Sequence, residues 1–417
     1  MRVLLFSPMF YGHPVVYCRV YSKILLDHGC TVVLASFGLA SFRLEDWPEI
    51  AGIAESKFEI VDLGGDISPA AGPLTAEELV TLQKARRIDA TVFIHADYFR
   101  NEFLRIANRS APALYGRNVG IFSLTARWYP GEDNLTGKPV SWIAPALRTS
   151  LGNLKRKVFE RKESDAYFFE NALIGQQVLD TLLVKDERVS RAFPSPVHWM
   201  PEIYKVFDEQ ITDKGTRQFE AVAERYENFR TQTADKEVLL YFGNAAWYKG
   251  YDYALALALR DPSVAFVQGG APDLGDGKYE LDVAAMRSTL QAQGRFFETA
   301  EFLYSQELIE YFFTSARRVV STHRLAGTSG TMLQAIECGK PILTPDSGLL
   351  GWRTKTYKLG STYAHGDLED MSRKWRGLSV EPSALQTDLA AFIDQFSQEK
   401  LAQCICAHVL EDGKAPA

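Results

Sequence analysis

The sequence is short of cysteine, of long apolar runs and of any strong excess of one charge. Its five cysteines, Cys18, Cys30, Cys338, Cys404 and Cys406, form no metal-type spacing. A chain of 417 residues needs no disulfide staples, so a reducing cytoplasm is the expected compartment. Apolar stretches such as Val238–Phe242 are far too short to span a bilayer. The opening MRVLLFSPMF has one basic residue and no small-residue cleavage site, so it reads as a strand and not as a signal peptide. A net charge of -6 gives no footprint for a polyanion, which argues against nucleic acid as a partner. What is present is an ordinary globular composition, 46% hydrophobic and 24% charged, with material for two cores.

Two stretches share one grammar. Arg2–Ser7 is an apolar run, Pro8–Pro14 a glycine- and proline-punctuated turn, and Val15–His28 places Val16, Val20, Ile24 and Leu25 at helical spacing. Gly29 can end that helix, and Thr31–Ser36 is a second β-rich run. This is a βαβ unit and implies a parallel sheet. The pattern restarts at Glu237: strand Val238–Phe242, loop Gly243–Gly250, helix Tyr251–Leu259, strand Val264–Gln268. Further α/β units follow through Arg295–Leu303, helix Gln306–Ser315, Val319–Thr322 and Pro341–Pro345. Between the halves, FPSPVHWMPEIY holds three prolines and excludes regular helix or central strand. The expected division is an N-terminal domain over 1–193 and a linker with a first helix over 194–236. A C-terminal domain over 237–381 and a helical segment over 382–417, packing back on the N-terminal domain, complete it.

The stretch LAGTSGTMLQAIECGKPIL, residues 325–343, crowds small and hydroxyl residues ahead of a helix. A helix N-terminus presents unpaired N–H groups and partial positive charge, which suits a phosphate. Gly327 and Gly330 allow close approach, while Thr328, Ser329 and Thr331 offer hydroxyls. The plainer alternative is a capping box, Thr331 with Gln334 reaching back.

Together these segments resemble the GT-B glycosyltransferases of group 1, the retaining family of many bacterial polysaccharide and lipopolysaccharide transferases. YFGNAAWYKG is similar to the family's strand, Gly-Arg and Lys-Gly; VAFVQGG to its second strand and glycine turn. FLYSQELIEYFFTSARRVVST and AGTSGTMLQAIECGKPIL match the segments leading into and forming its donor loop. FIHADYF resembles a strand end carrying His-x-His or His-x-Asp, and PSPVHWMPEIY the family's linker turn. The resemblance implies two Rossmann-like α/β/α domains facing across a central cleft. It implies transfer of a hexose from a nucleotide diphosphate sugar, UDP- or GDP-type, to a glycan, lipid-linked or small-molecule acceptor. Oligomeric state is not implied.

It also assigns residues. Lys249 takes the position of the lysine that neutralises the leaving diphosphate, and Gly243 its glycine turn. Asn244 stands where the family has arginine, so Arg324 or Arg353 is a candidate for the missing charge. The family's two donor-site glutamates fall on Ala326 and Gln334; Gln334 can still bind a ribose, Ala326 cannot bind sugar, and Glu337 is shifted by almost a helical turn. On the acceptor side stand Gly12, His13, Arg127 and Asp133. His95 and Asp97, one residue apart, share a side if their strand persists; Asp97 is then a candidate base, and otherwise a helix cap. No Asp-x-Asp closes a strand, so neither a protein-bound metal nor a cofactor is expected. RTSLGNLKRKVFERK, Arg148–Lys162, is either a solvated basic face or a peripheral contact with the inner face of a membrane. Two rivals are a GT-B epimerase and a scaffold that kept the fold and lost the chemistry.

Overall fold

A computed structural model describes residues 1–10, 13–53, 56–64, 74–123, 173–193, 196–202, 213–271, 278–301, 303, 305–324, 328–378 and 392–410. They form two compact units. The N-terminal unit holds the described residues through 202 together with 396–410; the C-terminal unit holds those from 213 to 395. The basic stretch 148–162 and its membrane reading lie outside the described residues. No helix among the described residues is long and apolar enough to cross a membrane.

The N-terminal unit is a seven-stranded parallel sheet in the order β3-β2-β1-β4-β5-β6-β7. Its strands are β1 Arg2–Ser7, β2 Thr31–Ser36, β3 Phe58–Asp62, β4 Ala90–Phe93, β5 Arg117–Phe122, β6 Thr181–Val184 and β7 Val197–Trp199. Val3, Leu4, Leu5 and Phe6 are all fully buried, as a strand covered on both faces requires. Helix α1, His13–Asp27, ends on Gly29 at φ 78°, with the Gly29 and Cys30 N–H groups donating to Leu26 and Leu25. Helices α2 Pro48–Ala51, α3 Ala76–Ala85, α4 Arg100–Ala107 and α5 Glu187–Ala192 follow. One core gathers Phe6, Phe93, Phe99, Phe103 and Phe122. The proline-rich segment supplies β7, an edge strand, which is where proline-flanked sequence is tolerated.

The C-terminal unit starts with α6, Asp213–Gln232, and builds a six-stranded parallel sheet ordered β10-β9-β8-β11-β12-β13. The strands are β8 Glu237–Phe242, β9 Val264–Gly269, β10 Phe296–Glu298, β11 Arg318–Val320, β12 Ile342–Pro345 and β13 Gly360–Tyr363. The helices are α7 Tyr251–Arg260, α8 Lys278–Ala292, α9 Gln306–Ser315, α10 Gly330–Glu337, α11 Gly348–Thr356 and α12 Leu368–Gly377. Tyr241, Tyr251, Leu255, Phe266 and Trp375 pack in its core.

The last helix, α13 Gln398–Ile405, and the turn Cys406–Leu410 return to the N-terminal unit. There the Cys404 thiol meets the Trp199 carbonyl at 3.6 Å, and His408 stacks on His198 with ring centroids 4.1 Å apart. In each sheet the chain winds outward from one strand in both directions, β1 beside β4 and β8 beside β11. The carboxyl ends of such a pair form the crevice where doubly wound folds bind ligands.

Candidate functional site

In the C-terminal unit the crevice is shaped by three glycines. Gly243 follows β8 at φ 103° and Gly270 follows β9 at φ 139°, back to back: a Cβ on Gly270 would lie 2.6 Å from the Gly243 carbonyl oxygen. Gly250, at φ 66°, ends a 3₁₀ turn Trp247–Lys249, and its Cβ would lie 2.1 Å from the Thr322 carbonyl oxygen. Only glycine lets this loop lie against the end of β11.

Lys249 is thereby placed. The Thr322 hydroxyl donates to its carbonyl at 2.8 Å, and its ammonium lies 3.0 Å from the point a Gly243 Cβ would occupy. The charge therefore stands over backbone at the end of β8. His323 is buried, its Nδ1 2.8 Å from the Ser321 hydroxyl, and burial together with the Lys249 charge pushes its pKa down to about 3. It is a neutral imidazole at physiological pH.

Arg324 holds the same loop from beyond β11. Its guanidinium pairs through both terminal nitrogens with Asp252 and donates to the Trp247 carbonyl at 2.7 Å, while its backbone N–H donates to Tyr248 at 2.8 Å. It also lies 4.2 Å from the Tyr253 ring centroid. Arg353 is fully buried on α11. These are the two arginines offered as candidates for the charge absent at Asn244. Arg324 is committed to the loop that carries Lys249, and Arg353 is enclosed.

Helix α10 begins at the adjoining point. Its N-cap is Ser329, which makes no side-chain capping bond. Ser329 is 3% exposed and its hydroxyl is buried without a hydrogen-bond partner among the described residues. The capping-box alternative fails because Thr331 lies inside the helix, where its hydroxyl donates to the Phe242 carbonyl at 3.2 Å. That bond ties the uncapped N-terminus to the strand end that carries Gly243. Thr328 is half-buried and Gln334 is buried within α10. Ala326 and Gly327 lie outside the described residues.

In the N-terminal unit the acceptor-side expectation is partly corrected. Strand β4 ends at Phe93, and His95 takes a left-handed conformation, φ 56° and ψ 54°. The strand does not persist, so His95 and Asp97 are not paired along one face. The N-cap of α4 is Phe99 and not Asp97, whose Oδ2 accepts from the Ser123 N–H at 2.8 Å, just past β5. The Ser123 hydroxyl in turn lies 3.3 Å from His95 Nδ1. His13 opens α1, but its side chain, with Gly12, Arg127 and Asp133, lies outside the described residues.

Sequence reasoning missed Lys185. It directly follows β6, is 1% exposed, and sets its ammonium 3.9 Å from the Tyr17 ring centroid, with His95 on the same ring at 5.2 Å. The signal was present as DTLLVKDE, where charge begins at once after a buried strand.

This strand order, in two parallel doubly wound units, is the GT-B glycosyltransferase fold. The chain is similar to sucrose-phosphate synthase from Thermosynechococcus elongatus, with TM-score 0.63, 12% identity and 97% of each chain covered. It is similar to Anabaena HepE in complex with UDP and glucose, with TM-score 0.59, 13% identity, and 97% of this chain and 98% of that one covered. WaaG, a glycosyltransferase involved in lipopolysaccharide biosynthesis, gives TM-score 0.54 at 13% identity over 99% and 100%. No family model matches the sequence, and no curated protein matches it.

Proposed function

We propose that the protein is a glycosyltransferase that takes a nucleoside diphosphate sugar, UDP- or GDP-type, and transfers its hexose to a hydroxyl of a glycan, lipid-linked or small-molecule acceptor. The observation that carries this reading is the junction at the end of β8. The Lys249 ammonium stands over Gly243, and Thr331 ties the uncapped N-terminus of α10 to Phe242 beside it. Fixed positive charge and the positive end of a helix dipole converge there, and both are complementary to a diphosphate. HepE, of the same fold, has been crystallised with UDP and with UDP-glucose.

As the sugar–phosphate bond breaks, negative charge builds on the departing diphosphate. Groups already in place stabilise that charge without reorganising, and they supply what a divalent ion supplies in other transferases. We therefore propose metal-independent transfer. His323 stays neutral beside Lys249 and adds no competing charge. Asn244, where the resembling family has arginine, leaves Lys249 as the principal side-chain cation of this junction. His95, Asp97 and the N-terminal unit's crevice are proposed to bind the acceptor.

The test is Lys249→Ala, measured with UDP, GDP and their hexose conjugates by calorimetry and by release of nucleoside diphosphate. Loss of one fixed donor costs about 10²–10³ in turnover. Near-wild-type turnover with unchanged circular dichroism would remove Lys249 from this role. A second reading is favoured by Ala326 and Gln334 standing at the family's glutamates: a protein of this fold that holds a nucleotide sugar without transferring it. Binding of a diphosphate with no release under any acceptor supports that reading, and epimer formation from donor alone would support an epimerase.

A further inference from the structure

Helix α12 carries Glu369, Ser372, Arg373 and Arg376 at helical spacing, so the four share one face. That face meets Arg260, the last residue of α7, and together they line an open cavity of about 430 Å³. Small-molecule sites run from about 300 to 1,000 Å³, so the cavity has room for a ligand larger than a single ion. It stands away from the crevice. Helix α7 begins at Tyr251, next to Lys249 and Gly250, and at 1.5 Å per residue its ten residues end about 15 Å further on. At that far end the Val264 N–H, where β9 starts, donates to the Asp261 carbonyl. The cavity therefore lies at the amino end of the sheet. Helix α12 is held there by Met371 and Trp375, which share the core of the C-terminal unit with Leu255 and Ala258 of α7.

Three of the lining residues are arginines and one is an acid. Each guanidinium pairs with one carboxylate: Arg260 with Glu369 at 2.5 Å, Arg373 with Asp370, and Arg376 with Asp261 at 3.0 Å. A guanidinium has five N–H donors in a planar fork, so one pair apiece leaves donors for a ligand. Two of the carboxylates are anchored by the fold. Asp261 accepts from the Ser263 N–H at 3.1 Å and from its hydroxyl at 2.6 Å, and Asp370 accepts from the Ala364 N–H at 2.7 Å. In each, the second oxygen holds the arginine, and neither acid lines the cavity. They steady Arg373 and Arg376 from outside. Glu369 does line it and is 84% exposed; an exposed pair of this kind is weak and yields to an incoming anion.

Ser372 is a second, independent observation. It is 6% exposed, lines the cavity, and its hydroxyl makes no hydrogen bond with a described residue. Arginines late in a helix complement its dipole, which accounts for Arg260 and Arg376 on their own. The dipole gives no reason for a buried hydroxyl at the same cavity, nor for anchored carboxylates behind two exposed guanidiniums.

We propose that this cavity is an anion site, separate from the crevice, that takes the phosphate of a phosphorylated small molecule. Guanidiniums match the paired oxygens of a phosphate in a fork. A dianionic phosphate engages more than one of them at once, Ser372 supplies a neutral donor, and the remaining volume holds the group to which the phosphate is attached. Nothing in this rests on the transferase reading.

The experiment titrates the full-length protein with ribose 5-phosphate, inorganic phosphate, ribose, and vesicles containing phosphatidic acid, followed by calorimetry and phosphorus NMR. Wild type is expected to bind ribose 5-phosphate in the millimolar range or better and to ignore ribose. Arg373→Gln combined with Arg376→Gln should weaken it by about tenfold or more, the worth of a charge-assisted hydrogen bond. Both side chains are exposed, so circular dichroism of that variant should match wild type. Glu369→Gln should tighten binding, and Lys249→Ala should leave it unchanged. No binding by wild type, or equal affinity in the double arginine variant, overturns the proposal. Loss in Lys249→Ala with retention in the arginine variant assigns the phosphate to the crevice and overturns it as well. Vesicle binding that depends on the two arginines assigns the phosphate to a lipid headgroup; soluble binding alone assigns it to a free metabolite. Failure of UDP and GDP to bind would sink the transferase reading and leave this site standing.

Discussion

A methyl group at Gly250 would lie 2.1 Å from the Thr322 carbonyl oxygen, in a backbone at φ 66°. Left-handed backbone costs an L-residue about 1–2 kcal/mol, and here a collision with rigid main chain is added. Gly250→Ala is therefore expected to lower the melting temperature by several degrees and to displace Lys249 from Gly243. Differential scanning calorimetry with a UDP or GDP titration measures both effects. Gly377→Ala is the matched control, since nothing lies within 4 Å of its Cβ; it should leave both readouts unchanged. The glycine was readable from the sequence as a loop end, whereas its contact with Thr322 was not. That contact depends on which strand lies next to β8, and no local pattern carries such information.

The returning helix α13 is held on the N-terminal unit partly by two imidazoles. Burial lowers the pKa of His198, and burial, His198 and Arg117 push His408 down to about 4 from an ordinary 6.5. Both folded values lie below their unfolded ones, so the unfolded chain binds more protons as pH falls. The stability they contribute is complete above pH 6.5 and is lost as pH falls from there toward 4. Hydrogen exchange across 398–410 should accelerate over that window, and His408→Asn should flatten the response. A pH-independent exchange rate would show that the ring stack does not hold the helix. Elements bounded by strong breakers were legible: β1, β2 and α9 fall at Arg2–Ser7, Thr31–Ser36 and Gln306–Ser315 as their patterns predict. The start of α10 was not. Thr331 has the local chemistry of a cap, and only its bond to Phe242, 89 residues away, shows it to be inside the helix. Likewise the alternation that suggested a shared face for His95 and Asp97 ended two residues early, at Phe93.

At the scale of the molecule, two cores imply two cooperative transitions. A nucleotide that binds the C-terminal unit should raise only the transition that belongs to it. The shift is about 2.7 kcal/mol at a hundred times the dissociation constant. Calorimetry with and without UDP or GDP checks this; a single transition that moves as a whole would mean the units unfold as one. The doubly wound plan was legible because strand–turn–helix grammar repeats at Arg2 and at Glu237. The glycine- and hydroxyl-rich make-up of the stretch ahead of α10 was legible as well. The grouping of Lys185, Tyr17, His95 and Ser123 was not, because these residues come from separate turns of the chain and meet only through the order of the strands.

The assignment of α13 to the N-terminal unit also has a temporal side. On the ribosome, residues 213–378 emerge and can fold before the chain that completes the first unit exists. The first unit then waits with the β7 edge and the α1 surface uncovered until residues 396–410 are made. Synthesis thus begins the N-terminal unit first and finishes it last. A nonsense codon near 396 would release a polypeptide whose second half is sound and whose first half exposes an open strand edge to aggregation.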